Sequence, residues 1–229
     1  MSIADNIRMV QSNITAAQAE YPETSAEAVK LIAVTKTLGI EKIQMAVDCG
    51  MRDLGENRVQ EILEKYPLFP KDVRWHLIGH LQTNKVKYIV DKVHMIHSLD
   101  SLRLAEEIEK RSAAIDRIMP CLIQVNIADE DTKFGIKEDE AADFFKEMAA
   151  FPHIDIRGLM TIGPHVDDAE QIRSVFRKLR ELKEELNKNA LPERKMKELS
   201  MGMSSDYPSA VREGATMVRV GTTIFGPRS

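Results

Sequence analysis

The segment LIAVTK, residues 31–36, decides how the rest of the chain is interpreted. Leu31 to Val34 form a short apolar run with β-branched residues, which is typical of a buried strand. No glycine-rich dinucleotide fingerprint follows this run. The run leads to Lys36, and a lysine charge is costly to bury unless it is paired or neutralised. Lys36 is therefore either a surface lysine just past a strand or an amine placed for covalent chemistry.

Seven further apolar runs alternate with stretches of helical periodicity. About eight strand–helix units are the number that builds a (β/α)8 barrel, a single α/β TIM-barrel domain over residues 1–229. An open, doubly wound sheet is the alternative, which the short and evenly spaced strands disfavour. The chain begins with an amphipathic helix whose apolar side carries Ile3, Ile7, Val10 and Ile14. The eight runs are LIAVTK, RDLGEN, RWHLIG, MIHSL, CLIQVNI, IRGLMTI, KELSMG and MVRVGTTIFG.

The composition excludes several classes of protein. A net charge of -4 and a pI of about 5.9 give no basic surface for nucleic acid. No long uncharged apolar stretch suits a membrane span, and the first residues do not resemble a signal peptide. Cys49 and Cys121 suggest no disulfide framework, so a reducing cytoplasmic location is expected. No heptad or apolar stripe stands out, which favours a monomer.

The last two strands carry the signals of an anion site. Barrels often bind phosphate with the loops after strands 7 and 8 and the N-terminus of a short helix. In SMGMSSDYPSAVREG, Gly202 lets the backbone approach a ligand, and Ser204, Ser205 and Asp206 are good helix N-cap residues. The next strand ends in Gly221 and Thr222, which offer amides and a hydroxyl. A capped turn and an ordinary strand exit would look the same.

Arg219 lies inside the last apolar run, where a guanidinium must find a partner or face an open mouth. One interpretation is an ion pair with Glu56 or another carboxylate. The other is an arginine aimed at a ligand's ring nitrogen or acid group. Together, Lys36, the anion loops and Arg219 suit a ligand with an aldehyde, a phosphate and a basic ring atom, which describes pyridoxal 5′-phosphate (PLP).

The sequence also resembles the YggS/PROSC family, the pyridoxal phosphate homeostasis proteins, over nearly its whole length. The matching stretches are AVTKT, DLGENRVQE, WHLIGHLQTNK, HSLDS, VNIADEDTKFGI, GLMTIG and LSMGMSSDYPSAVREGATMVRVGTTIFGPR. That family is similar to the N-terminal barrel of alanine racemase, a fold-type III PLP-binding barrel. The resemblance implies that Lys36 forms the Schiff base and that Arg219 faces the pyridine nitrogen. It places Ser200, Gly202, Ser204, Ser205, Gly221 and Thr222 in the phosphate-binding motifs, and it places Asn57, His80 and Met160 along the cofactor.

By the same resemblance, the chain binds PLP and supplies it to apoenzymes, without an established catalytic activity. A racemase of this type needs a second acid or base from a further domain, and the sequence ends just after strand 8. A small racemase-like PLP enzyme stays open as the alternative, as does a Schiff-base aldolase with Glu56 as its acid or base.

The histidines and one loop are weaker candidates. His76 and His80 have HxxxH spacing, but across a strand end and without a thiol or acid cluster, so a metal site is not expected. His94 and His97 lie on or beside strand 4. The segment TKFGI is expected to be a solvated loop, with a mobile cover over the barrel mouth and Lys133 as a visiting amine as the alternative.

Overall fold

The structure of the protein, a computed structural model, describes residues 2–20, 28–128, 130, 134–164, 166 and 168–227. The eight apolar runs all form strands, and each pairs in parallel with the next. β8 returns to pair with β1, with Ala33 opposite Val220, so the sheet closes into a barrel and the open-sheet alternative is wrong. The strands are β1 Lys30–Val34, β2 Asp53–Glu56, β3 Arg74–Leu77, β4 Met95–Leu99, β5 Met119–Gln124, β6 Ile154–Met160, β7 Glu198–Ser200 and β8 Met217–Val220.

Helices cover the outside of the barrel. They are α1 Ile3–Glu20, α2 Ile40–Asp48, α3 Val59–Lys65, α4 Leu102–Ala113, α5 Ala141–Glu147, α6 Ala169–Lys188, α7 Tyr207–Arg212 and α8 Thr222–Phe225. Short 3₁₀ helices occur at Tyr66–Leu68, Thr83–Tyr88, Met148–Ala150 and Pro192–Arg194. The periodicity of apolar residues predicts a helix from Asp167 to Asn189, and α6 covers Ala169–Lys188 of that range. The Asp168 side chain caps the first amides of α6, and Asp167 lies outside the described residues.

The predicted N-terminal helix is confirmed as α1. Ile7, Val10 and Ile14 are buried on the side that faces the rest of the chain. Asn6 donates through Nδ2 to the Ile224 carbonyl at 2.9 Å, and Asn13 donates to the Tyr207 hydroxyl at the same distance. The helix therefore ties the beginning of the chain to α7 and α8, beside the last two strands.

The barrel interior holds an apolar layer and a polar one. Ile32, Met95, Leu122, Met160 and Met217 form an apolar cluster, which suits the side-chain layers that fill such barrels. Other inward positions carry polar groups that are equally buried, which are Asp53, His76, His97, Ser200 and Arg219. Buried polar groups require hydrogen-bond partners, so this set has to be paired internally.

In the part of the chain that the structure describes, no helix is both long enough and apolar enough to cross a membrane. The same residues contain no group of three or more His, Cys, Asp or Glu side chains arranged to hold a metal ion.

Candidate functional site

Lys36 lies two residues beyond β1, at the carboxyl edge of the barrel, and is half-buried. The backbone amides of the residues before and after it, Thr35 and Thr37, are both held by hydrogen bonds. The Thr35 amide donates to the Gly55 carbonyl at 3.0 Å, and the Thr37 amide donates to Glu61 Oε2 at 2.7 Å. Thr37 has φ = 64°, a left-handed conformation that is strained for a β-branched residue and that often accompanies functional sites. The backbone on either side of Lys36 is therefore fixed.

Glu56, which a Schiff-base aldolase would need as its acid or base, belongs to a separate buried pair. Lys65 Nζ donates to Glu56 Oε1 at 2.7 Å, to Glu61 Oε2 at 2.8 Å and to the Thr35 carbonyl at 3.0 Å. Burial raises the pKa of the Glu56 carboxyl, while its bonds with Lys65 and Thr35 oppose that shift. One of the two sequence-based interpretations paired Arg219 with Glu56. That pairing is wrong, because Glu56 forms its ion pair with Lys65.

A cavity of about 560 Å³ opens at the carboxyl edge, where function gathers in barrels of this kind. It brings together side chains and backbone from β1, β2, β3, β6, β7 and β8 or from the loops that follow them. None of the described lining residues is Asp, Glu, His, Tyr or Cys. The lining residues are Val34, Lys36, Asn57, Ile78, Ile162, Met203, Ser204, Ser205, Arg219, Gly221, Thr222 and Thr223.

Ser204 connects the two predicted anion loops. Its hydroxyl oxygen accepts the amides of Gly221 at 3.1 Å and Thr223 at 3.4 Å, and its carbonyl accepts the Thr223 hydroxyl at 3.3 Å. Because the oxygen is used as an acceptor twice, the hydroxyl hydrogen can be donated to a ligand. Ser205 and Thr222 are exposed to the same cavity, so hydroxyls converge there from both loops.

The short helix α7 is built as predicted, with Pro208 in its first turn and Gly214 at φ = 94° just past its end. Asp206 occupies the N-cap position, and its Oδ1 accepts the Met203 amide at 2.5 Å. Gly202 has φ = 90°, and a Cβ there would lie 2.5 Å from the Ala210 Cβ. Gly202 thus packs closely against α7 and its carbonyl accepts the Arg219 amide at 2.9 Å, but it is not among the residues that line the cavity.

Arg219 lines the cavity from below and is almost fully buried. NH1 donates to Ser200 Oγ at 2.7 Å, and NH2 donates to the Thr161 carbonyl at 2.8 Å. These are its hydrogen bonds to the described residues, so other N–H groups of the guanidinium can turn to a ligand. Burial lowers the pKa of Arg219 to about 10 and nearby Asp206 opposes the shift, so the side chain stays charged at neutral pH.

Besides Gly202, three predicted residues do not line this cavity. Ser200 is fully buried beneath Arg219, where its hydroxyl also contacts His97 Nδ1 at 2.9 Å. Met160 is fully buried in the apolar interior cluster, next to the half-buried Ile162. His80 stands at the rim, with Nδ1 3.3 Å from Asp100 Oδ2 and its ring stacked on Phe134 at 4.0 Å between centroids. Lys133, the visiting amine of the TKFGI segment, lies outside the described residues.

Sequence reasoning missed Val34, Ile78, Ile162, Met203 and Thr223 as lining residues. Val34 and Ile78 lie at strand ends, and Met203 and Thr223 are next to residues that the sequence analysis singled out. That position in the sequence was the only available signal for these four residues. Gly79 explains how Asn57 reaches the cavity: a Cβ at position 79 would lie 2.5 Å from the Asn57 carbonyl oxygen. The glycine lets the loops after β2 and β3 approach each other.

The arrangement can hold a ligand with three different groups. Lys36 offers an amine, the Ser204, Ser205 and Thr222 hydroxyls offer donors for an anion, and Arg219 offers a charged donor at a third point. The apolar surface between them comes from Val34, Ile78 and Ile162. A closed parallel barrel with a lysine after its first strand and hydroxyl-bearing loops after its last two has the layout of a barrel of the alanine racemase N-terminal type.

Comparison with known proteins agrees with that class. The family described as "Alanine racemase, N-terminal domain" matches residues 6–229. A pyridoxal phosphate homeostasis protein of Aquifex aeolicus is 46% identical over 203 residues, covering 87% of each chain. One of Pasteurella multocida is 40% identical over 233 residues, covering 100% of this chain and 98% of the relative. The chain belongs to the family of pyridoxal phosphate homeostasis proteins.

Solved structures show the same relation. PipY of Synechococcus elongatus, solved with PLP bound, is 35% identical with a TM-score of 0.83, covering 98% of this chain and all of PipY. Alanine racemase of Corynebacterium glutamicum is 17% identical with a TM-score of 0.76, covering 99% of this chain but 61% of the racemase. The second likeness concerns the fold alone.

Proposed function

We propose that this chain binds pyridoxal 5′-phosphate as a Schiff base on Lys36 and serves in the homeostasis and supply of that cofactor. The observation that carries the proposal is the single cavity that Lys36, Arg219 and the hydroxyls of the two anion loops share. Family membership and the PLP-bound relative support the same ligand. When bound, PLP supplies an aldehyde that condenses with an amine and releases water.

The donor set fits each part of that ligand. Lys36 is the amine, and its backbone is held on both sides by the bonds of Thr35 and Thr37. The hydroxyls of Ser204, Ser205 and Thr222 donate to the phosphate, and Arg219 donates to the ring nitrogen. Asn57 lines the same cavity. Four more residues remain proposed members of the cofactor environment, although none of them is among the described lining residues. They are His80, Met160, Ser200 and Gly202.

Holding and releasing the cofactor suits this cavity better than catalysis does. Racemisation needs a second acid or base on the opposite side of the substrate from the lysine. The described lining offers no carboxylate, imidazole, phenol or thiol for that purpose. Glu56, the acid or base that an aldolase would need, is buried against Lys65 and does not line the cavity. We therefore propose a carrier and retain a weak racemase-like activity as the second candidate, because racemase barrels share the fold.

We propose the remaining properties together with that role. Residues 1–229 act as one PLP-binding domain that works as a cytoplasmic monomer, and PLP-dependent apoenzymes receive the cofactor. Neither nucleic acid nor a membrane takes part, and no metal is required.

A visible spectrum of the purified protein tests the proposal. Addition of PLP should produce the absorption of a lysine Schiff base, and borohydride reduction followed by peptide mapping should attach the cofactor to Lys36. Attachment to Lys137 or to another lysine would refute the assignment. A protein that shows no cofactor absorption after unbound PLP is removed would refute the function itself.

A further inference from the structure

A continuous hydrogen-bonded chain crosses the interior of the barrel and ends on Arg219. Asp53 Oδ1 lies 3.0 Å from His76 Nε2, and His76 Nδ1 lies 2.9 Å from His97 Nε2. His97 Nδ1 lies 2.9 Å from Ser200 Oγ, which accepts from Arg219 NH1 at 2.7 Å. This hydrogen-bonded chain starts at Asp53, the first residue of β2, and runs through β3, β4 and β7 to β8. It therefore joins the amino edge of the barrel to the floor of the cavity.

The chemistry of the two ends gives every bond in this chain the same direction. Arg219 can only donate, so the single hydrogen of the Ser200 hydroxyl is left for His97 Nδ1. His97 Nδ1 then accepts, its Nε2–H donates to His76 Nδ1, and the His76 Nε2–H donates to Asp53. Asp53, an ionised carboxylate, can only accept. With both rings neutral, the two ends therefore require the same tautomer, protonated on Nε2, for both histidines.

The surroundings hold both imidazoles neutral. Both rings are fully buried, and burial lowers the pKa of His76 and holds that of His97 well below its usual range. The cations Lys30, Arg74 and Arg219 and the neighbouring ring of His94 act in the same direction, and Asp53 opposes them at His76. Arg74 in turn holds Asp53 with bonds of 2.8 and 2.6 Å, which keeps the pKa of that carboxyl far below its usual value.

We propose that Ser200 and His97 are positioning residues for Arg219, and that Ser200 serves the ring end of the ligand and not its phosphate. The ordered chain offers Ser200 to the guanidinium as an acceptor only, which fixes the orientation of Arg219 below the cavity. Ser200 is fully buried, and Ser204, not Ser200, connects the two anion loops. The identity of the ligand in this inference rests on the proposed function, whereas the direction of the chain does not.

Nitrogen NMR of the histidine rings in the ligand-free protein tests the direction of the chain. At pH 7 the rings of His76 and His97 should each show one protonated nitrogen, Nε2, and one bare nitrogen, Nδ1. A doubly protonated ring at either position, or a proton on Nδ1, would overturn the inference. Because no ligand is present, this result stands even if the protein proves not to bind PLP.

Two ligands then separate a role at the ring from a role at the phosphate. Ser200→Ala should weaken the binding of PLP and of phosphate-free pyridoxal by the same factor, about tenfold, as expected for one lost bond to a charged group. Ser204→Ala is the matched control, and its effect should be present with PLP and absent with pyridoxal. If the effect of Ser200→Ala also disappeared with pyridoxal, Ser200 would be a phosphate ligand and the inference would be wrong.

A pair of histidine variants completes the test. His97→Leu should weaken PLP binding about tenfold and shift the visible absorption of the bound cofactor, because Ser200 loses its acceptor and its hydrogen turns toward Arg219. His94→Leu is the control: His94 packs edge-on against His76 with ring centroids 5.4 Å apart, and its ring makes no hydrogen bond to the described residues. His97→Gln, which keeps a donor and an acceptor, should restore part of the loss. Equal behaviour of the Leu variants would overturn the positioning role.

Discussion

Two lysines lie next to Thr35, and they differ in whether carboxylates surround them. Lys65 donates to the Thr35 carbonyl and to two carboxylates, and it is 5% exposed. Lys36 follows Thr35 directly and lines a cavity whose described residues include no carboxylate. The contrast shows that two lysines beside one residue can differ in role: one is held by buried carboxylates, and the other lines the cavity. Glu56 and Glu61 are both occupied by Lys65.

The sharpest test of this contrast is the covalent one. Lys36→Ala should abolish borohydride-dependent attachment of PLP completely, because the other nearby lysine, Lys65, is held in ion pairs by its carboxylates and does not line the cavity. Reversible binding should persist at reduced affinity through the anion loops. Peptide mapping and equilibrium dialysis measure the two effects. Lys36→Arg keeps the charge but cannot condense with an aldehyde, so it separates the electrostatic part from the covalent part. Transfer of the label to Lys65 would contradict the comparison.

A second test asks how fast the PLP-loaded protein exchanges the α-protons of amino acids. The PLP-loaded protein should exchange the α-protons of amino acids far below the usual enzymatic rate of roughly 1–10³ s⁻¹. In the proposed arrangement Lys36 would reach one face of a substrate, and a ring nitrogen that accepts from Arg219 would stay unprotonated and withdraw electrons poorly. Exchange in deuterated water, read by NMR together with the enantiomeric ratio, gives the answer. Turnover in the enzymatic range would identify a small PLP enzyme, and slow exchange without racemisation would confirm that Lys36 works from one side.

The structural lysine should affect folding instead. Lys65→Met should lower the free energy of unfolding by about 3–5 kcal/mol, because it leaves the buried Glu56 without its cation. The double variant Lys65→Met with Glu56→Gln should recover much of that loss. Urea unfolding followed by circular dichroism measures both. A loss below about 1 kcal/mol for the single variant would place this pair with ordinary surface salt bridges.

The smallest expected effect concerns the anion loops. Ser205→Ala or Thr222→Ala should each weaken PLP binding by about 1–3 kcal/mol, since each removes a hydrogen bond to a charged group. Wild-type protein should bind pyridoxal much more weakly than PLP. Fluorescence titration with both ligands measures the difference. If wild type bound the two ligands equally, the loops after β7 and β8 would be ordinary turns and only Lys36 would hold the ligand.

The sequence predicted the barrel because short apolar runs and helical periodicity are local properties. Its eight runs correspond to β1–β8, and Arg219 lies inside the barrel as its apolar neighbours indicate. The partners of Arg219 were not predictable in the same way. Whether Ser200, the Thr161 carbonyl or Glu56 faces the guanidinium depends on how strands far apart in sequence meet across the interior.

Lys65 and His97 show the same limit. Lys65 ends a seven-residue helix, where a lysine is usually solvated, and only the packing of α3 on β2 brings it to Glu56. His76 and His80 attracted attention as a possible pair, but the chain turns at Gly79, so that His76 is buried and His80 is exposed. His76 meets His97 instead, a residue on the neighbouring strand.

The pairing of β1 with β8 has a consequence for biosynthesis. Lys36 follows the first strand, whereas Arg219, Gly221 and Thr222 belong to the last one or follow it. A ribosome adds about 5–20 residues per second, so the amine leaves the exit tunnel well before its counterparts exist. Contacts between such distant parts of a chain also form slowly. Capacity to capture a reactive aldehyde should therefore arise in one late step, and a nascent chain stalled before Met217 should carry Lys36 without the cavity that directs it.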